Sequence, residues 1–205
     1  MLFFTTIFSN QRFKYHRKNT LYNCRPNGAG KTTAAYTFLP EMLECKIYLN
    51  ADEIAKQISP LDVNSAAFEA GRIMLQRIES NLVEENTFSI ESTLSTRYYI
   101  QLVNEVQKRG YKVLILFLYL KNSKIAKARV KKRVELGGHD IPLEVIQRRY
   151  ERGLFNFFNY FKNSANNWYF IDNENDTRLL ASKTDLGIDG DNEIFCNLVK
   201  LYEKK

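Results

Sequence analysis

The chain has 205 residues and a formal net charge of +7. That length suits one domain with a core that needs no disulfide staples. Its three cysteines, Cys24, Cys45 and Cys196, lack the CxxC spacing of a zinc or redox site, and no apolar run reaches the roughly 18–20 residues of a spanning helix.

The start, Met1 to Phe8, has no basic residue ahead of its apolar stretch, so a secretory leader is not expected and the cytoplasm is. Residues 1–20 read as an irregular basic and aromatic extension. Leu21–Cys24 occupies the place of a first strand, though it is short and carries Asn23, a polar residue in what would be a buried strand. Next comes Arg25-Pro26-Asn27-Gly28-Ala29-Gly30-Lys31-Thr32-Thr33, close to the phosphate-loop pattern G-x-x-x-x-G-K-[ST]. Gly28 and Gly30 let the backbone curl so that successive N–H groups point inward. With the N-terminus of the following helix, these groups receive phosphate oxygens. Lys31 brings positive charge to the β- and γ-phosphates of ATP, and the Thr32 hydroxyl is a ligand for Mg²⁺. Asn27, Gly28, Ala29, Gly30, Lys31, Thr32 and Thr33 are the expected nucleotide-binding set. Arg25 stands at the first glycine position, where a bulky side chain is expected to crowd the turn.

Gly30–Phe38 reads as a helix stopping near Pro40, and Cys45–Asn50 as a strand. Asp52 follows that strand. It suits either of two roles: accepting the proton of an attacking hydroxyl, or capping a helix over Ile54–Ile58. Asn64–Glu85 has the apolar period of a long helix. Thr87–Ser92 is a strand, and Glu91-Ser92-Thr93 puts a carboxylate and hydroxyls at its carboxyl end, either for substrate or as a solvated turn. Arg97–Arg109 is a helix closed by Gly110. Arg97 sits near its N-terminus, where a cation gains nothing from the dipole, which favours a ligand role.

Lys112–Leu120 is apolar on both faces, as at the centre of a parallel sheet. Ser123–Leu136 and Pro142–Phe158 read as helices, Trp168–Asp172 as the last strand and Asn192–Tyr202 as a closing helix. Alternating strands and helices indicate an α/β fold with a mostly parallel five-stranded sheet, whose ligands sit beyond the carboxyl ends of the strands. From 121 to 152 the chain carries ten Lys or Arg against four acids. Arg129, Arg133, Arg148, Arg149 and Arg152 flank the connection Gly137-Gly138-His139-Asp140-Ile141-Pro142. A helical flap of this kind carries arginines over the phosphates and excludes water. His139 reads as a turn residue. No stacking platform of aromatics interleaved with basic residues is visible, so nucleic acid is not the expected partner.

In order and spacing these segments resemble the zeta-toxin family of P-loop kinases, in particular its stand-alone branch labelled a predicted ABC-type ATPase. The similarity runs from Leu21 to Asn173. It comprises P-N-G-A-G-K-T-T, F-L-P at 38–40, N-A-D-E at 50–53, A-G-R at 70–72, E-S-T-L-S at 91–95, R-G-Y at 109–111, G-G-H-D-I-P at 137–142 and R-R-Y-E-R-G at 148–153. The resemblance implies a three-layer kinase-like P-loop NTPase fold over 21–205, with a helical lid at about 121–160. It also implies ATP and Mg²⁺ as cofactors, phosphorylation of the 3′-hydroxyl of UDP-N-acetylglucosamine, and an antitoxin as protein partner. By the same resemblance Lys31 and Thr32 serve the nucleotide, Asp52 is the catalytic base, and Glu91 and Thr93 bind the acceptor. Arg97, two residues past Ser95, joins the acceptor set; the lid arginines do not match the family's one by one, and of those flanking 137–142 Arg133 and Arg149 are the expected pair. The better-known toxins carry an arginine two residues after the threonine. Ser95 stands there in this chain, so another hydroxyl acceptor stays open, as does a nucleotide-binding remnant without turnover.

The resembled family usually reads Ile-Ala-Gly before Pro-Asn-Gly. The codons ATT-GCA-GGN, read with one extra base ahead as AAT-TGC-AGG, encode Asn-Cys-Arg, the residues at 23–25. A local frame slip, with foreign or out-of-frame sequence upstream, is the expectation. The coding DNA checks it: any other codons at 23–25 refute it.

Overall fold

The computed structural model describes residues 45–204 apart from His139 and Asp176, together with Asn27 and the backbone of Asn19–Cys24. The expected phosphate loop beyond Asn27 and the expected helix Gly30–Phe38 lie outside the described residues. Strands β1 (Asn19–Cys24), β2 (Ile47–Leu49), β3 (Phe88–Ser92), β4 (Lys112–Tyr119), β5 (Asn167–Asp172), β6 (Arg178–Thr184) and β7 (Gly187–Asp189) form one sheet. Their order is β2-β3-β1-β4-β5-β6-β7. The first five run parallel to one another, and β6 and β7 are added antiparallel.

Five strands are expected from the sequence, and the described residues hold seven. The difference lies after Asp172, where the chain doubles back instead of crossing over. Asp172 Oδ1 accepts from the Glu174 N–H at 3.1 Å, and its Oδ2 pairs with Arg178 Nε at 3.2 Å. This closes a short turn that lays β6 beside β5.

The helices are α1 (Ala51–Ile58), α2 (Ala67–Val83), α3 (Tyr98–Lys108), α4 (Ser123–Glu135), α5 (Leu143–Asn156) and α6 (Glu193–Tyr202). Along α2, Ala70, Met74, Ile78 and Leu82 repeat every four residues and are all buried, so one stripe faces the sheet. Gly110 ends the region of α3 at φ +85 and Gly137 that of α4 at φ +81, left-handed positions that other residues rarely adopt.

Strand β4 is buried on both faces. Val113, Ile115 and Phe117 join the main core, while Leu116 and Leu118 join Tyr169 and Ile171 in a second cluster. An interior strand of an α/β sheet requires both. Phe117 and Phe170, opposite each other in the β4–β5 register, stack with centroids 5.0 Å apart. Below them α5 runs on into a π-helical turn, Phe157–Phe161, whose Phe157, Phe158 and Phe161 are fully buried. Phe157 meets Phe117, Phe158, Trp168 and Phe170 with ring centroids between 4.9 and 5.6 Å. Among the described residues no helix is long and apolar enough to cross a membrane.

Strand β1 lies between β3 and β4, and the chain's later strands fall on opposite sides of it. A crevice opens at the carboxyl end of such a strand, because the loops on its two sides diverge.

Candidate active site

Asn27 stands just past the carboxyl end of β1. It is 1% exposed, and neither its Nδ2 nor its Oδ1 has a hydrogen-bond partner among the described residues. A buried amide left unpaired costs stability, so a polar ligand at this mouth would supply what the described residues do not.

The neighbouring strand β3 ends in Glu91 and Ser92, which lie opposite Asn23 and Cys24 of β1 in register. Glu91 is buried, and its Oε2 accepts from the Tyr48 hydroxyl and from Asn50 Nδ2, the latter at 3.1 Å. Such donors satisfy a carboxylate that burial would otherwise penalise. The other end of the Asn50 amide caps α1: its Oδ1 accepts from the Asp52 N–H at 2.8 Å. One side chain thus ties the first turn of α1 to Glu91. Asn50, and not Asp52, is the N-cap. The Asp52 carboxylate is exposed in the first turn, favourably placed for the helix dipole, and makes no hydrogen bond or ion pair among the described residues.

Beyond β3 the segment 91–95 turns sharply. Leu94, fully buried, takes φ +52, and its N–H donates to Ser92 Oγ at 3.0 Å. A buried leucine in the left-handed region is costly and persists only where surrounding contacts hold it. Thr93 is half-buried, with Oγ1 2.9 Å from Ser95 Oγ. Helix α5 supplies the holding contacts. Asn156 Nδ2 donates to Leu94 O at 2.6 Å, and Gly153 lies so close that a Cβ there would stand 2.5 Å from Thr93 O.

Arg149, Gly153 and Asn156 recur at i, i+4 and i+7, so they share one face of α5. Arg149 is half-buried. Arg133 ends α4 beneath Gly138, whose N–H donates to Arg133 O at 2.9 Å and whose absent Cβ would sit 2.6 Å from Arg133 Cγ. Arg97 is exposed, with its guanidinium 5.4 Å from the centroid of the Tyr160 ring on the π turn. Arg129 donates to the carbonyls of Asn173 and Glu174 and so holds the loop after β5.

Helix α5 is also fixed to the end of β4. The Tyr150 hydroxyl donates to Leu120 O at 2.8 Å, and burial, then Tyr119, pushes that phenol up. Tyr119 is itself pushed up to about 12, by burial first and by the Asp172 carboxylate next. Both phenols therefore keep their protons at neutral pH, and the Tyr150 anchor holds there.

The structure places Asp52, Glu91 and Thr93 at the carboxyl ends of β2 and β3, and Asn27 past the carboxyl end of β1, the strand next to β3. Lys31, Thr32 and the rest of 28–33 lie outside the described residues. Sequence reasoning gave Tyr48, Asn50, Gly153 and Asn156 no role. Asn50 had a readable signal, an asparagine just after a strand and ahead of a helical run. Gly153 and Asn156 had none.

A family model described as Zeta toxin matches residues 26–185. An uncharacterized protein of Haemophilus influenzae is 30% identical over 134 residues, covering 65% of this chain and 94% of that protein. Among solved structures, a chain of the PezAT chromosomal toxin-antitoxin system of Streptococcus pneumoniae superposes with a TM-score of 0.67 at 13% identity, covering 90% of this chain and 78% of that one. The crystal structure of AvrRxo1-ORF1:-ORF2 with ATP contains a chain matched with a TM-score of 0.66 at 15% identity. That match covers 89% of this chain and 63% of the AvrRxo1 chain, so this chain spans less than two thirds of that relative. The fold is that of a P-loop kinase, with two antiparallel strands beyond the five expected.

Proposed function

The chain belongs to the zeta toxin family, and from that premise we propose that it is an ATP-dependent kinase that phosphorylates a sugar hydroxyl, with UDP-N-acetylglucosamine or a related nucleotide-sugar as acceptor. The observation that carries this reading is the Asn50 amide, which sets the Asp52 turn beside the buried Glu91 at the carboxyl edge of the sheet. A kinase of this type needs a carboxylate next to its acceptor, close to the phosphate loop.

In this reading Asp52 accepts the proton as the acceptor oxygen attacks the γ-phosphorus. The bond from that phosphorus to the bridging β-phosphate oxygen breaks, and ADP leaves with the electron pair. Lys31 and the N–H groups of residues 28–33 would hold the β- and γ-phosphates, and the Thr32 hydroxyl would be a ligand for Mg²⁺. Asn27, buried and without a hydrogen-bond partner among the described residues, supports a polar ligand at this loop. Magnesium would neutralise charge developing between the phosphates. Glu91 and Thr93 bind the acceptor, joined by Arg97. Helices α4 and α5 form the lid, from which Arg133 and Arg149 offset transition-state charge. The toxin-antitoxin setting of the PezAT relative supports an antitoxin as partner.

A second reading keeps the chemistry and changes the acceptor. Ser95, bonded to Thr93, stands where the better-known toxins carry arginine, which favours another hydroxyl compound.

The test is ADP release by the purified chain with ATP, Mg²⁺ and a panel of nucleotide-sugars, Lys31→Ala serving as control. A phosphorylated nucleotide-sugar is the expected product. Transfer only to other hydroxyl compounds selects the second reading. ATP binding without any acceptor-dependent ADP would overturn both.

A further inference from the structure

Helix α5 reaches the acceptor segment through backbone contacts that sit on one face together with Arg149. Gly153 admits Thr93 O to a distance that no side chain would tolerate. One turn further on, the Asn156 amide takes the carbonyl of the left-handed Leu94, with both groups buried. These two contacts hold the backbone of Thr93 and Leu94 against α5, while the Thr93 hydroxyl lies 2.9 Å from Ser95 Oγ. They also fix how far the segment lies from the arginine-bearing half of α5. Nothing in either contact involves the phosphate-loop residue Asn27.

Resting on the kinase reading above, we propose that Gly153 and Asn156 are positioning residues that set acceptor affinity by clamping the backbone of Thr93 and Leu94 against α5. The arrangement makes the acceptor subsite a joint product of β3 and α5. A change in α5 therefore alters acceptor recognition without touching the acceptor, and nucleotide recognition is spared.

The primary test is Gly153→Ala. Alanine favours the helix itself, so the helix gains local stability while the new methyl pushes Thr93 aside. The KM for the acceptor is expected to rise at least about tenfold, since displacements near 1 Å carry penalties of that size or larger. The KM for ATP should stay within about twofold. In a Thr93→Val background the same substitution should add less than about threefold, because residues acting through one group are not additive. Asn156→Ala, which removes the donor to Leu94 O, should act in the same direction and decides the matter if Gly153→Ala does not fold. An unchanged acceptor KM, a parallel rise in both KM values, or full multiplication with Thr93→Val would each overturn the proposal.

Wild type that phosphorylates no acceptor would refute the kinase reading, not the clamp. In that case amide hydrogen exchange decides. Exchange at Leu94 and Ser95 that is at least about tenfold faster in Gly153→Ala than in wild type supports the clamp, and unchanged exchange refutes it.

Discussion

Asp52→Asn is expected to lower the phosphoryl-transfer rate by about 10²- to 10⁴-fold, the span over which a positioned general base contributes. Asparagine keeps the size and polarity of the side chain but has no basic oxygen to take the acceptor proton. The fold should be untouched, because the cap of α1 is Asn50 and the Asp52 side chain is exposed. Only a small favourable dipole interaction is lost, worth a few degrees of Tm at most. Affinity for ATP should be unchanged, measured by titration in the absence of acceptor. Steady-state kinetics at saturating ATP and acceptor give the decisive number. A variant turning over at the wild-type rate removes Asp52 from the chemistry and leaves it as a first-turn acid with a purely local role.

Phe157→Ala is expected to cost about 3–5 kcal/mol, the usual loss when a fully buried aromatic is truncated in a core that collapses only in part. For a chain of this size that corresponds to a fall in Tm of roughly 6–20 °C. Phe157 has no exposed surface and touches four rings at once, so its removal opens a cavity where the sheet, the π turn and Trp168 meet. Phe68 provides the contrast. It is 87% exposed on α2, and Phe68→Ala should stay within about 0.5 kcal/mol of wild type. Thermal unfolding of the two variants side by side checks the pair, and equal Tm values would sink the account of the core.

The contrast between these phenylalanines marks the limit of what the sequence alone reveals. Patterns with a clean period were readable. The run Lys112–Leu120 reads as a central strand, observed over Lys112–Tyr119, and the apolar period of Asn64–Glu85 reads as a long helix, observed over Ala67–Val83. Strand β6 was not readable. Its apolar residues, Leu179, Leu180 and Ala181, stand in a row between charged ends, and β5 accepts it only through a register shift at Phe170 and Ile171. Strand β7 is three residues, too short to carry a period. At the site, the positions of Glu91 at the end of β3 and of Asp52 just after β2 were legible because the strands before them were, while the phosphate-loop motif lies outside the described residues. The clamp was not, since Asn156 meets Leu94 across 62 positions of chain. Such roles arise from the approach of two elements, and composition at either one does not encode the distance between them.

Strand β1 has a consequence for how the molecule assembles. Its neighbours are far along the chain: Thr20 lies opposite Phe88 on one side and Val113 on the other. The sheet therefore cannot close around β1 until β4 has left the ribosome, and pairing between such distant segments makes for slow folding. β3 can pair with β1 as soon as it emerges, and the free edge of β1 then waits for β4, so that β1 comes to lie between β3 and β4. The gap between them is filled through main-chain hydrogen bonds, which every residue but proline supplies alike. A strand that carries Asn23 next to its carboxyl end meets that demand as well as an apolar one does. The length of β1 and the timing of its pairing then decide whether the nascent chain closes or aggregates.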